Sequence, residues 1–146
     1  MGIGAPPAPW ADLMAEMMVT DYSRSLAFWT GPLGFALAFE RPAQKLACLQ
    51  RPEGGQVMIY QRDGDWETGP MEPPFGRGLV IQVYVDDADA VAGAMVAAGV
   101  PFYVEPREKW RDWGDRMGGQ REFLVQDPDG YLVMVAQRIG ERPLAG

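Results

Sequence analysis

The sequence predicts an α+β fold built from two tandem βαβββ modules, and two pairs of matching segments predict it. "LMAEMMVTD" from Leu13 lies in register with "LVIQVYVDD" from Leu79, sharing Leu13/Leu79, Val19/Val85 and Asp21/Asp87. "RPEGGQVMI" from Arg51 and "DPDGYLVMV" from Asp127 each carry a proline, an acid and a glycine, then an apolar run with methionine six positions after the proline. Two such pairs in the same order indicate an internal repeat. The expected organisation is one domain over residues 1–146, with module 1 at about 11–61, a linker at 62–78 and module 2 at about 79–138.

The elements follow in order. "MGIGAPPAPW" lacks the basic start and apolar core of a secretory signal and reads as a loose tail. "LMAEMMV" is a strand, after which Asp21 caps a helix over "YSRSLAFWT". Tyr22, Leu26 and Trp29 form its apolar stripe, and Gly31-Pro32 ends it. "GFALAFE", "KLACLQ" and "QVMIYQ" are strands separated by the turn signals "RPAQ" and "PEGG". "RDGDWETGPMEPPFGRG" is the linker. In the second module "LVIQVYV" is a strand, and Asp87 caps "ADAVAGAMVAAG", with Val91, Met95 and Ala98 as its buried stripe. "PFYVEP", "REFLVQ" and "YLVMVAQ" are strands, "EKWRDWGDRMGGQ" is a loop, and "DPDG" is a tight turn.

Composition removes several function classes. The chain has no histidine, so it cannot build a His-containing triad, a two-His-one-carboxylate iron site or an ordinary His/Cys zinc site. A net charge of −7 without a basic stripe argues against nucleic acid, and would favour a cationic ligand. No apolar run reaches the length of a membrane span. Cys48 is the lone cysteine, which excludes an internal disulfide framework and fits a reducing cytoplasm.

Strand alternation assigns faces. Ala15, Met17 and Val19, and likewise Ile81, Val83 and Val85, point to the helices. Met14, Glu16 and Met18, and Val80, Gln82 and Tyr84, point the other way. Glu16 and Gln82 are the only polar residues in these strands, so the second face suits a cavity or an interface as well as a partly solvated sheet surface. A buried Glu16 would need a partner, and Arg121 is a candidate.

With "VTDYSRSLAFWTGPLGF" early and "GGQREFLVQDPDGYLVMV" late, the paired modules resemble the vicinal oxygen chelate superfamily of glyoxalase I, extradiol dioxygenases, fosfomycin resistance enzymes and bleomycin resistance proteins. The likeness runs from about Leu13 to Gln137. It is strongest to the bleomycin resistance branch, through "FWTGPLGF" and "WGDRMGGQREF". It implies a curved, mostly antiparallel sheet with a concave groove. Metal-using members carry ligands at positions that the motifs place on Met14, Met58, Val80 and Met134, all apolar here, so the resemblance implies no metal and no cofactor. A Cu(I) thioether site is the sharper alternative to methionine as packing, which it serves readily.

The branch implies a cytoplasmic homodimer that confers antibiotic resistance by sequestering a small molecule of bleomycin type, bulky, partly aromatic and cationic, without modifying it. Aromatic faces and acids are the residues such a ligand needs. The candidates are Glu16, Met18, Tyr60, Gln82, Tyr84, Tyr103, Trp110 and Trp113, with the linker acids Asp63, Asp65, Glu67 and Glu72 nearby in sequence. Trp110 and Trp113 suit pinning a long loop equally well, and Trp29 reads as core. No catalytic residue is expected under this reading. Two alternatives stand beside it: a metal-free lyase or isomerase with Glu16 as general base and Tyr84 as polarising acid, and a dimeric regulatory module without an open cavity.

Overall fold

A computed structural model describes residues 2–3 and 9–144 of the chain. Contacts divide it into two units, Met1–Arg77 with Asp127–Tyr131, and Gly78–Gln126 with Leu132–Gly146. Each contains one sheet and one helix; the second has the order βαβββ and the first the same order preceded by a two-residue strand, which is the predicted α+β arrangement.

The first unit contains β1 (Gly2–Ile3), β2 (Ala15–Val19), α1 (Tyr22–Thr30), β3 (Ala36–Arg41), a 3-10 turn (Pro42–Gln44), β4 (Leu46–Gln50) and β5 (Gln56–Gln61). Its sheet order is β1-β3-β4-β5-β2. β2 runs parallel to β5, and β3, β4 and β5 are antiparallel neighbours. The expected loose tail is corrected at Gly2 and Ile3, which extend the sheet beside Phe39 and Glu40; the rest of the tail before Pro9 lies outside the described residues. Asp21 caps α1 by accepting the Arg24 backbone N–H at 3.1 Å, and the Gly31 N–H returns to the Ala27 carbonyl at 2.9 Å.

The buried line of α1 is Ser25 and Trp29, with Tyr22 and Leu26 half-buried, so the stripe is turned slightly from the expected one. A small side chain at Ser25 leaves room for close packing there. On the helix side of the sheet, Met17, Val19, Ala47, Leu49, Val57 and Ile59 are buried as the period-2 pattern requires. Each of these side chains larger than Ala47 contributes roughly 1.5–3 kcal/mol by leaving water.

The turn at Asp127–Tyr131 belongs to this unit although the strands on either side of it belong to the other. Asp127 Oδ1 accepts the backbone N–H groups of Asp129 and Tyr131 at 3.0 and 2.9 Å, and its Oδ2 accepts the Trp29 indole N–H at 3.2 Å. Burial pushes the Asp127 carboxyl above its ordinary value, and these N–H donors partly offset it. Asp129 accepts the Thr20 N–H, and the Tyr131 hydroxyl donates to the Met18 carbonyl at 2.8 Å. Gly130 has φ +101°, and a Cβ there would meet the Pro74 backbone at 2.7 Å, so glycine is required on both counts.

The expected linker is an ordered part of the same unit. Phe75 is buried edge-on to Tyr131, its N–H donates to the Asp129 carbonyl at 2.8 Å, and Arg62 stacks on its ring while pairing with Glu67 at 2.7 Å.

The second unit contains β6 (Val80–Tyr84), α2 (Ala88–Ala97), β7 (Phe102–Asp112), β8 (Met117–Gln126) and β9 (Leu132–Arg142), in the sheet order β6-β9-β8-β7. Asp87 caps α2 through the Ala90 N–H at 3.0 Å. Val91 and Met95 are buried as expected, but Ala98 is the exposed C-cap, and Ala88 and Ala92 complete the buried side instead. The largest correction falls on "EKWRDWGDRMGGQ", which is not a loop. β7 and β8 form one long hairpin paired from Phe102↔Val125 to Asp112↔Met117, with its turn closed by the Trp113 N–H on the Arg116 carbonyl at 2.8 Å.

Candidate functional site

Register places the two non-helical sheet faces residue by residue. In the first unit, Glu16 lies opposite Met58, Met18 opposite Tyr60, and Met58 opposite Cys48. Phe39, Leu46 and Cys48 are buried there, and Met14, Ala38, Met58 and Tyr60 pack against them. Trp10 leans on Phe39 with ring centroids 6.0 Å apart, and the chain just before β2 is tied down by Gln56, which accepts the Ala11 N–H and donates to the Pro9 carbonyl. This face is therefore a packed apolar layer. At its β3–β4 end a shallow cavity of about 280 Å³ is lined by Ala36, Ala38, Gln50, Arg51 and Pro52.

Three sequence-predicted site residues sit on this unit. Glu16 is exposed, so it is no buried charge seeking a partner, and Arg121 pairs instead with Asp89 of α2 at 2.9 Å. Met18 is buried and receives the Tyr131 hydroxyl on its backbone carbonyl. Tyr60 donates to Asp63, and that bond, with lesser help from burial, pushes its phenol up to about 12. Asp63 and Glu67, two of the proposed cation-attracting acids, are thus engaged by Tyr60 and Arg62.

The corresponding face of the second unit is built differently. One row across it reads Tyr84–Ala136–Glu122–Arg107, and the next reads Gln82–Met134–Leu124–Val104. The Glu122 side chain is fully buried. Arg111 donates to both its oxygens at 2.7 and 3.0 Å, Arg107 donates Nε and Nη2 to Oε2 at 3.1 and 2.9 Å, and Gln120 donates to Oε1 at 2.7 Å. Burial opposes the charge, but these donors outweigh it and hold the carboxyl at about 2. Gln120 also reaches the Met134 sulfur at 3.8 Å. The Arg138 guanidinium lies 4.0 Å from the centroid of Tyr84, whose hydroxyl donates to Gln82 at 3.3 Å.

Gln82 and Tyr84 are therefore brought together as expected, while the remaining aromatic candidates are not. Trp110 pairs with Gly119, one residue out of phase with Glu122 and Arg107, so it occupies the helix-side face. There it stacks under Arg142 at 4.1 Å. A Cβ on Gly119 would come within 2.7 Å of its ring, and one on Gly118 would run into Trp113. Both indoles lie against glycines of β8. Tyr103 falls at a register irregularity between Phe102 and Val104 and is exposed. Sequence reasoning missed Arg107, Arg111, Gln120, Glu122 and Arg138. Once Phe102–Asp112 is read as a strand, the i, i+2, i+4 spacing of Arg107, Lys109 and Arg111 puts all three on one face.

Whether these positions could hold the metal of the metal-using members can be tested on the donors present. Met14 and Met58 are packed into the apolar layer of the first unit, and Val80 and Met134 lie on the second. Thioether and hydrocarbon offer neither the oxygens a hard divalent ion requires nor the imidazole or thiolate that zinc prefers, so these positions do not fit such an ion. Among the described residues, no three His, Cys, Asp or Glu side chains gather into a potential metal-holding group. No described helix is long and apolar enough to cross a membrane.

Comparison with known proteins agrees with this fold. A structure of TioX from Micromonospora sp. ML1 superposes with a TM-score of 0.65 at 26% identity, covering 89% of this chain and 100% of that one. Virulence protein STM3117 from Salmonella typhimurium gives 0.63 at 20% identity, covering 86% and 94%. Lactoylglutathione lyase from Agrobacterium tumefaciens gives 0.56 at 19% identity, covering 90% and 96%. No curated protein matches significantly. The sequence profile of one family matches residues 13–135, nearly the whole chain, and by that match the chain belongs to the Glyoxalase/Bleomycin resistance protein/Dioxygenase superfamily.

Proposed function

We propose that this protein is a metal-independent small-molecule binding protein that sequesters a bulky, partly aromatic ligand, as a cytoplasmic homodimer of bleomycin resistance type. The observation that carries this reading is the substitution of all four ligand-equivalent positions by Met14, Met58, Val80 and Met134, beside faces that offer aromatic and hydrogen-bonding groups. Tyr84 stands exposed with Gln82 and Arg138, a stacking surface next to amide donors. Glu16 is exposed to water and encloses no reacting centre, which favours binding over the lyase or isomerase alternative.

Calorimetric titration of the metal-stripped protein with metal-free bleomycin, with Tyr84→Ala and Glu16→Gln alongside, tests the reading. Binding with a micromolar or tighter Kd, weakened by about tenfold or more in either variant, is the expected result. Absence of heat up to tens of micromolar, roughly −6 kcal/mol in affinity, removes the antibiotic as ligand. Sedimentation at micromolar concentration should show a dimer, and a monomer would count against the homodimer.

A further inference from the structure

The charge on the open face of the second unit is opposite to that of the whole molecule. Arg107, Lys109 and Arg111 from β7 share that face with Arg138 from β9, while Glu122 is the acid at its centre. Four cations surround one carboxylate, within a chain whose net charge is −7. Glu141 borders the face opposite Gly118 but is taken by Arg116 at 2.9 Å. Glu122 binds the inner edges of Arg107 and Arg111, yet their side chains remain 43% and 38% exposed, so each keeps N–H donors directed to solvent. Arg138 forms no ion pair among the described residues; its guanidinium carbon lies 4.0 Å from the Tyr84 ring centroid, a contact that restricts it while the residue stays exposed. The row beside these cations is Gln82, half-buried Met134, Leu124 and Val104, with exposed Val80 at the edge strand.

We infer that this face binds the anionic end of an amphipathic aromatic ligand, with the carboxylate or sulfonate on Arg138, in the positive field of Arg107, Lys109 and Arg111, and the aromatic body along Tyr84, Met134 and Val80. The inference rests on the small-molecule binding reading and replaces the cationic ligand expected from the sequence with an anionic one. Its physical basis is that a guanidinium already oriented by stacking loses little further freedom when it takes a carboxylate, and that the paired arginines are held in place by a carboxylate that does not compete for their outer donors. Glu122 acts here as a positioning residue, because its own oxygens are occupied by Arg107, Arg111 and Gln120.

The test compares three probes of one shape on the full-length protein: 2-naphthoate, 2-naphthamide and 2-naphthylmethylammonium. Binding is followed by amide proton–nitrogen shifts, with Arg138→Gln as the variant and Arg41→Gln as a control on the other unit. Arg138 is exposed, so the variant should fold, and an unchanged spectrum away from the face verifies it. Naphthoate should shift the amides around Tyr84, Met134 and Arg138 and bind about tenfold or more tighter than naphthamide. Arg138→Gln should remove about that factor, and Arg41→Gln should not. Equal or tighter binding of the ammonium probe, or a naphthoate affinity untouched by Arg138→Gln, overturns the anion site while leaving a small-molecule binder in place. No binding by any of the three probes overturns the site and counts against the binding reading as well.

Discussion

The two units start from one pattern and diverge at the same coordinates. Met58 and Met134 hold equivalent places, and counting outward through the registers makes Leu46 the counterpart of Glu122 and Arg41 the counterpart of Arg107. In the second unit Arg107 reaches across to the Glu122 carboxylate; in the first, Arg41 faces Leu46, finds no carboxylate there and lies over the Phe39 ring at 5.7 Å instead. One face is consequently an apolar layer capped by Trp10, and the other is a charged lattice with exposed donors. The lesson is that duplication conserves the register, because a one-residue slip would turn every core side chain outward, while leaving the non-helical face free to change its chemistry.

Exchanging the two solutions should break this comparison most strongly at Leu46→Glu. A carboxylate placed among Phe39, Cys48 and Met58 loses hydration, with Arg41 as its cross-strand neighbour, and a loss of about 3–5 kcal/mol in urea unfolding is expected. A loss below about 1 kcal/mol would show that Arg41 satisfies the new carboxylate and that the two faces are interchangeable.

A second prediction uses pH. Glu122 is held at about 2, below its ordinary 4.5, so its contribution is present above 4.5 and is lost as pH falls from there through about 2. That contribution is roughly 3 kcal/mol, and Glu122→Gln should flatten the stability profile across the window. Asp127 works in the opposite sense. Its raised carboxyl favours the folded state fully below the ordinary 3.8, and this contribution is lost as pH rises through the folded value. Urea unfolding of wild type, Glu122→Gln and Asp127→Asn as a function of pH separates the two, and an unaltered acid limb in Glu122→Gln would contradict the assignment.

The smallest expected effects fall on the paired methionines. If Met58 and Met134 serve packing and not coordination, leucine at either position should cost less than about 1.5 kcal/mol. Loss of a Cu(I)-dependent stabilisation in either variant would identify the thioethers as ligands.

Much of the architecture was legible because its signals are local. Asp21 and Asp87 cap the helices they were expected to cap, and Met17, Val19, Val83 and Val85 face the cores as alternation demanded. The hairpin of β7 and β8 was not legible, since Trp, Gly and charged residues together imitate a loop. It persists as sheet because Trp110 and Trp113 lie against Gly119 and Gly118, which are buried, and because charged residues suit an edge strand such as β7. Misreading it concealed the strand alternation that groups Arg107 and Arg111 around Glu122, and it put Trp110 among the ligand candidates when its phase places it on the opposite face. The aggregation of Asp127, Asp129 and Tyr131 with the first unit had no local signal either, because it depends on partners such as Trp29 and Met18, about a hundred residues away.

The most direct test of the account is calorimetric titration of the chelator-treated wild-type protein with Zn²⁺ and with Mn²⁺. The account predicts no stoichiometric binding of either ion at about 100 μM, since Met14, Met58, Val80 and Met134 present no suitable donor. One equivalent bound with a Kd below about 1 μM, some −8 kcal/mol, would contradict it and return the protein to the metal-using members of its superfamily.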